Sequence, residues 1–436
     1  MPKGPKAKRL KEGPPPPPPD NVSFGRYCHL PTKIDNDFCG EHAIYDTKWK
    51  GKERIVCPYD PSHTVNKDEI EKHLEKKCNS RPPPTPPYFS SNINCTLPSP
   101  ELEEKVTLSD LSKETVDKLI SNVNQWHQQL VPDIKTEVMD HMVLKDKKES
   151  TKNRKHAVQQ ASLIGHLEKL NLLRKNICFM EYGSGKGELS YFIKMAIQDD
   201  TASFILVDRK NTRCKFDSVI RGTSEKKLLV KRIGMDIKDL DISKLDLLKG
   251  KNVVAYSKHL CGSATDITLK SLVDYAKSSI DGNPVIGIII ALCCHQLCRY
   301  HMFPYHKFLQ DYGITENDFK RICAMSSWAI CGQRLNHETE NNDNDDNDND
   351  DNDNEDDHTY NETEDEEENT KMHYSGLEHS AREQLGYKCK RIIDIGRAKY
   401  LEANGYDVNL IYYVEPSTSL ENLALIATPN KGSFSA

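Results

Sequence analysis

Residues 178–196 read CFMEYGSGKGELSYFIKMA. A β-rich run ends at Glu181, and glycines follow at alternate positions, Gly183, Gly185 and Gly187. An amphipathic stretch then carries Leu189, Phe192, Ile193 and Ala196. The pattern predicts a strand, a tight loop and a helix. Glycines there let the backbone turn sharply and come close to a ligand. A dinucleotide loop wants its third glycine one place later, against a pyrophosphate. That place is Glu188.

Around this stretch, short apolar runs (Cys178–Glu181, Phe204–Val207, Val253–Tyr256, Val285–Leu292) alternate with helical segments. That is the signature of an α/β domain with a mostly parallel sheet covered on both faces. A helix over about Ala157–Leu173 sets Leu163, Ile164, Leu167, Leu170 and Leu173 on one face, and a helical pattern runs from Ser109 to Leu144. Near the end, Ala381–Gly386 and Ala398–Gly405 read as helical turns and Asn409–Val414 as a late strand. The second strand, SFILVD, ends in Asp208, about 20 residues past Gly187, where an acid accepts hydrogen bonds from a ribose diol. Asp208 also suits a helix N-cap.

Residues 253–272, VVAYSKHLCGSATDITLKSL, run from strand through polar loop into helix. They bring Lys258, His259, Cys261, Thr265 and Asp266 to the C-terminal edge, where open α/β sheets bind ligands. The next strand, VIGIIIALCCHQLC, delivers Cys293, Cys294, His295 and Cys298 to the same edge. Polar groups at adjacent strand ends are how such folds build active sites. The thiols admit three readings: the nucleophile of a base methylase, a metal site of Cys293, His295 and Cys298, or packing, which is commoner. Base methylation also calls for an Asn/Asp-Pro-Pro-Tyr or Pro-Cys motif at a strand end, and neither occurs.

The N-terminal part has another texture. Cys57, His63, His73 and Cys78 form a C-x5-H-x9-H-x4-C set that suits tetrahedral zinc. Lys67–Lys77 should be a short helix presenting His73 and bringing Cys78 near. So small a piece needs a staple to fold. It resembles a Cys-His-His-Cys finger found in a minor-spliceosome protein and an RNA methylase family. That pattern has three residues between the last His and Cys, and here there are four. One extra residue rotates a ligand by about 100° on a helix, so Cys78 is expected where the helix frays. Upstream, Cys28, Cys39 and His42 form a CCCH-like set lacking its usual fourth ligand, which His29 would supply if the site is not degenerate.

Charge divides by segment. The chain has 436 residues and a formal net charge of −6. Glu338–Asn369 holds 18 acidic and no basic residues, which leaves 60 basic against 48 acidic elsewhere. Such a block stays solvated, and the basic surplus of twelve suits a polyanion. The strips 224–232 and 386–400 are candidate RNA contacts. The longest apolar run, Val285–Cys294, is half the roughly 20 residues a spanning helix needs, so no membrane partner is expected. The start has no apolar core, so it is no signal peptide, and fourteen cysteines read as metal-binding or packed thiols inside a cell. The expected organisation is a basic, proline-rich tail (1–22), a degenerate CCCH-like finger (23–50), a CHHC finger (54–80), a stiff proline-rich linker (81–108), a helical connector (109–150) and a catalytic domain (151–430) with an acidic insert (338–370).

The segments 155–173, EYGSGKGELS, SKHLCGSATD, ALCCH, MSSWAICG and 375–406, together with the fingers in their order, resemble the eukaryotic tRNA 2′-O-methyltransferase family that modifies the fourth nucleotide of the acceptor stem. The resemblance implies a Rossmann-like class I methyltransferase domain. Its glycine loop, with Glu181, Asp208 and Asp236, would hold S-adenosylmethionine. Zinc would occupy the fingers, and a tRNA acceptor stem would be the partner, in the cytoplasm or nucleus. No protein partner is evident. Methyl transfer to a weakly nucleophilic hydroxyl needs positioning and a base or cation within reach. Lys258 is the first choice for that role, His259 the second, and Asp266 the group that orients either. A non-catalytic zinc-finger RNA-binding scaffold and an RNA base methyltransferase are the rival readings.

Overall fold

A computed structural model describes residues 38–39, 41–45, 49, 51–81, 85–100, 106–149, 154–197, 201–210, 212, 215–222, 227–279, 283–330 and 373–430. The basic tail, Cys28, His29 and the acidic insert lie outside the described residues. The chain divides into two compact units, Met1–Pro86 and Pro87–Ala436.

In the first unit, β1 (Arg54–Cys57) and β2 (Asp60–Asn66) form an antiparallel hairpin. A helical run follows from Lys67 to Lys77, as the sequence predicts, but it does not fray. Its last turn, His73–Lys77, widens to a π-turn in which the Cys78 N–H donates to His73 O at 2.8 Å. The wider turn takes in the extra residue and keeps Cys78 on the ligand side.

The second unit is a mixed α/β body around an eight-stranded, mostly parallel sheet. Its strands are β3 (Lys135–Thr136), β4 (Ile177–Tyr182), β5 (Ser203–Asp208), β6 (Leu229–Gly234), β7 (Asn252–Cys261), β8 (Val285–Cys293), β9 (Tyr406–Tyr412) and β10 (Leu423–Pro429). Their order is β3-β9-β10-β8-β7-β4-β5-β6, with β10 antiparallel to both neighbours. From β4 the chain builds outward to β5 and β6, then returns to add β7 and β8 on the other side. The order therefore reverses between β4 and β7, where open sheets form a ligand crevice.

Strand periodicity sorts the core. Cys178, Met180, Tyr182, Ile205 and Val207 pack on one face, and Ile177, Phe179, Phe204 and Leu206 on the other. The helices that matter for the site and its support are α1 (Lys113–Leu130), α2 (Arg154–Lys169), α3 (Glu188–Ile197), α4 (Ser263–Ser278) and α5 (His379–Glu402). α2 stops short of the expected Leu173 because Asn171 turns left-handed (φ 53°) and the Leu172 N–H closes on Leu167 O at 2.9 Å.

Three expectations need correction. The stretch expected as a helical connector carries α1, whose Leu119, Val123 and Trp126 share a core with Phe303, Phe319 and the α5 residues Leu385, Cys389 and Ile392. The two expected late helical turns are one 24-residue helix. Gly386 and Gly396 do not end it, because each is a site of close approach: a Cβ would stand 2.2 Å from Ala329 N and 2.6 Å from Phe303 Cζ, respectively. Within the expected linker, the segment from Tyr88 to Leu97 is a docked strap. Asn94, 3% exposed, donates to Ile237 O and Leu240 O, and Leu97 N–H donates to His301 O.

Candidate active site at the sheet switch point

The glycine loop lies at the reversal between β4 and β7. Gly183, Gly185 and Gly187 all have positive φ (61°, 47° and 84°), where L side chains are strained. Two of them are closed in by the fold. A Cβ on Gly183 would meet His259 O at 2.4 Å, and one on Gly187 would meet Leu206 Cδ2 at 2.6 Å. Gly185 alone faces open space. Arg232 on β6, which sequence reasoning placed only in an RNA strip, braces the loop: its guanidinium donates to Gly185 O (2.8 Å) and Ser184 Oγ (3.1 Å) and pairs with Asp217 at 2.7 Å.

The acids sit as follows. Asp208 accepts from the Gly185 N–H at 2.7 Å and from the Lys210 N–H at 2.8 Å, so it ties the loop to the end of β5. Asp236 caps a short turn by accepting from the Lys238 N–H at 2.9 Å. Glu181 is buried and turned inward, accepting from the Ser190 N–H (3.2 Å) and hydroxyl. Burial pushes its carboxyl up to about 8 despite those bonds.

At the end of β7, Lys258 Nζ lies 2.7 Å from His156 Nδ1 on α2. Burial lowers the Lys258 pKa, and burial together with the Lys258 charge lowers that of His156. Glu188, held by Lys147 (2.6 Å) and Gln160 (2.8 Å), supplies the nearby negative charge. His156 was not singled out in the sequence, because a histidine at the start of an amphipathic helix carries no local sign of chemistry.

The other expected residues part company here. Asp266 orients neither Lys258 nor His259. It is fully buried and held by Arg397 through two hydrogen bonds, 2.8 and 3.1 Å. Arg397 also donates to Gly262 O (3.0 Å) and lies 3.3 Å from Asp394, whose other contacts are His295 (2.6 Å) and Arg391 (2.8 Å). This buried network locks the turn between β7 and α4. It also removes His295 and Cys298 from the metal set expected with Cys293, since the Cys298 sulfur lies 3.1 Å from the Arg397 guanidinium. The 386–400 strip is only in part an exposed face: Lys390, Arg391 and Arg397 are buried, Lys390 against Glu421, while Lys399 is exposed. In the 224–232 strip, residues 224–226 lie outside the described residues. Lys231 there lies over the Tyr88 ring at 4.4 Å, on the docked strap.

His259 faces sulfur. Its Nδ1 lies 3.2 Å from Cys293 Sγ and its Nε2 3.7 Å from Cys261 Sγ, with the two sulfurs 3.9 Å apart. In the first unit, Cys57, His63, His73 and Cys78 converge: Cys57 Sγ is 3.7 Å from Cys78 Sγ and 3.3 Å from His73 Nε2. Asp60 stands 3.5 Å from His63 Nδ1, which leaves Nε2 for the cluster. Cys39 Sγ and His42 Nδ1 are 3.1 Å apart.

A mostly parallel sheet with a glycine loop at its switch point and a basic side chain beside it defines a ligand-binding α/β enzyme domain. The family model described as "Methyltransferase TRM13" matches residues 158–428, and that of the "U11-48K-like CHHC zinc finger" matches residues 54–79. The chain belongs to the TRM13 methyltransferase family. It is 36% identical to the "tRNA:m(4)X modification enzyme TRM13 homolog" of Homo sapiens, over 94% of this chain and 93% of that protein. It is also 36% identical to the "tRNA:m(4)X modification enzyme TRM13" of Schizosaccharomyces pombe (86% and 95%) and 34% to that of Yarrowia lipolytica (92% and 87%).

Proposed function

We propose that this protein transfers a methyl group from S-adenosylmethionine to a ribose 2′-hydroxyl at position 4 of a tRNA acceptor stem. The observation that carries the reading is the open space above Gly185, at the strand reversal, with the Lys258–His156 pair at the neighbouring strand end. The strand order β6-β5-β4-β7-β8 follows the 3-2-1-4-5 of doubly wound nucleotide-binding sheets, which supports a Rossmann-like class I methyltransferase fold. A tRNA substrate implies an intracellular site of action, cytoplasmic or nuclear.

The cradle fits the donor: a loop with no side chain at 185 leaves room for a close approach. When bound, S-adenosylmethionine supplies an electrophilic sulfonium methyl. Gly183–Gly187, Asp208 and Asp236 would hold it, while Glu181 shapes the loop from beneath. Lys258 then acts on the acceptor. A half-buried amine with a lowered pKa is closer than a free lysine to taking the hydroxyl proton, and in its charged form it stabilises the alkoxide. His156 fixes the amine from behind. In the first unit, Cys57, His63, His73 and Cys78 would hold zinc, a donor set suited to a closed structural site. Cys39 and His42 would belong to a second zinc site with Cys28.

The test is tritium-methyl transfer into bulk tRNA followed by nucleoside digestion. Label on the ribose is expected, and label on a base overturns the chemistry. In calorimetry, wild type binds S-adenosylmethionine and Asp208→Ala does not; no binding by wild type would return the chain to the scaffold reading. Lys258→Arg keeps the charge but cannot act as a base, so methyl transfer should fall by about 10²–10⁴ with donor binding intact.

A further inference from the structure

We propose that His259, Cys261 and Cys293 form a metal site of the zinc class at the C-terminal edge of the sheet. The three side chains come from adjacent parallel strands. Cys261 and Cys293 are in register across β7 and β8, and His259 lies two residues before Cys261, on the same side of its strand. An irregularity between Ser257 and Leu260 re-aims this end of β7.

The distances are those of a ligand set. Zinc–sulfur bonds of about 2.3 Å and zinc–nitrogen bonds of about 2.0–2.1 Å, set tetrahedrally, separate two sulfurs by about 3.8 Å and a sulfur from a nitrogen by about 3.6 Å. The edge gives 3.9 Å between sulfurs, with Nδ1 of His259 3.2 Å from Cys293 Sγ and its Nε2 3.7 Å from Cys261 Sγ; with one nitrogen taken as the ligand atom, it and both sulfurs all lie within 4.8 Å of one another. The hairpin unit gives an internal standard, with 3.7 Å between its sulfurs and 3.3 and 3.7 Å from sulfur to imidazole.

The surroundings leave these groups available. Among the described residues, the hydrogen-bond partners of the His259 ring are these two thiols, which are weak partners for an imidazole. Two further donors that follow this strand, His295 and Cys298, are committed to Asp394 and Arg397. Thiolate and imidazole without a carboxylate select zinc over magnesium, calcium or manganese. Cys294 follows directly in a left-handed conformation (φ 49°), a strained state for a side-chain-bearing residue. Its thiol stands outside the three ligand atoms that lie within 4.8 Å of one another, so water would take the fourth position. His259 is exposed, so a cation can enter from solvent.

The test uses full-length protein purified without a metal-affinity step. Elemental analysis compares wild type with Cys261→Ser/Cys293→Ser, His259→Ala, and His73→Ala/Cys78→Ala. The edge pair and the finger pair should each lose one zinc per chain, and the combined variant two. Cobalt reconstitution should show sulfur-to-cobalt charge transfer in the wild-type-minus-edge-variant difference. Because the His259 ring is exposed, His259→Ala keeps the fold if the cysteine pair does not, and it should release its zinc to a chelator faster than wild type. Equal zinc content and equal cobalt spectra in wild type and edge variants overturn the proposal. So does a Cys261–Cys293 disulfide in wild type whose reduction recruits no metal.

Discussion

In the hairpin unit, little besides the two converging cysteines lies inside, and His63 and His73 are only partly buried. Between Arg54 and Asn79 only Cys57, Thr64 and Cys78 are buried. At the sheet edge, the same donor types terminate strands whose interior positions are buried along almost their whole length, from Val253 to Ser257 and from Gly287 to Cys293. Donor identity is shared, and the source of order is opposite. The hairpin has too little apolar surface to offset chain entropy, and its Cys/His cluster suits a cation that would complete it. The sheet folds on its hydrophobic layers and can host a cation as an addition. Cysteine and histidine therefore say little about a metal's role until the buried surface around them is known.

Three perturbations test that contrast. The largest effect should come from stripping metal with a chelator. Structural zinc contributes on the order of 10 kcal/mol to so small a fold, so β2 and the helical run after it should lose all hydrogen-exchange protection. Amides of β4, β7 and β8 should keep theirs. If both units lose protection together, the contrast fails.

Next comes Asp266→Asn, which leaves Arg397 buried and short of its counter-charge. Breaking such a pair costs about 3–5 kcal/mol, so the melting temperature of the second unit should drop, with or without chelator. An unchanged melting curve would mean that the buried ion network does not hold the edge.

The smallest effect, per pH unit, is a pH slope. Burial raises the Glu181 carboxyl from 4.5 to about 8. The native state then keeps a proton that the unfolded chain releases, so stability falls as pH rises from about 4.5 to about 8 and levels off above. Linkage limits the slope to about 1.4 kcal/mol per pH unit. Glu181→Gln should flatten it in pH-dependent urea unfolding of the second unit, and a variant with the wild-type slope would assign the titration elsewhere.

Much of the fold was legible because it is local. Strand runs 177–182, 203–208 and 285–293 stand within two residues of where apolar runs place them, since each strand is buried on both faces and reads as continuous hydrophobicity. The glycine loop was equally plain, because three positive-φ positions demand glycine wherever the chain goes next. β10 escaped notice, as its LALIATP is too short to be told from a buried helical turn. Asp266 and the basic residues of α5 were misread for another reason. A charged residue looks the same in sequence whether it faces water or a buried counter-ion 131 positions away.

The sequence by itself determined the central strands, the hairpin's ligand spacing, the loop that turns on glycine and the charge divided between an acidic block and a basic remainder. Each depends on neighbours within about twenty residues. Only the tertiary structure decided that His156 stands behind Lys258, that Arg397 claims Asp266, and that His259 faces two sulfurs instead of a carboxylate. Apart from the local His259–Cys261 contact, those pairings join residues 34 to 131 positions apart. They arise where the sheet reverses its strand order, and no local pattern encodes which distant side chains a reversal brings together.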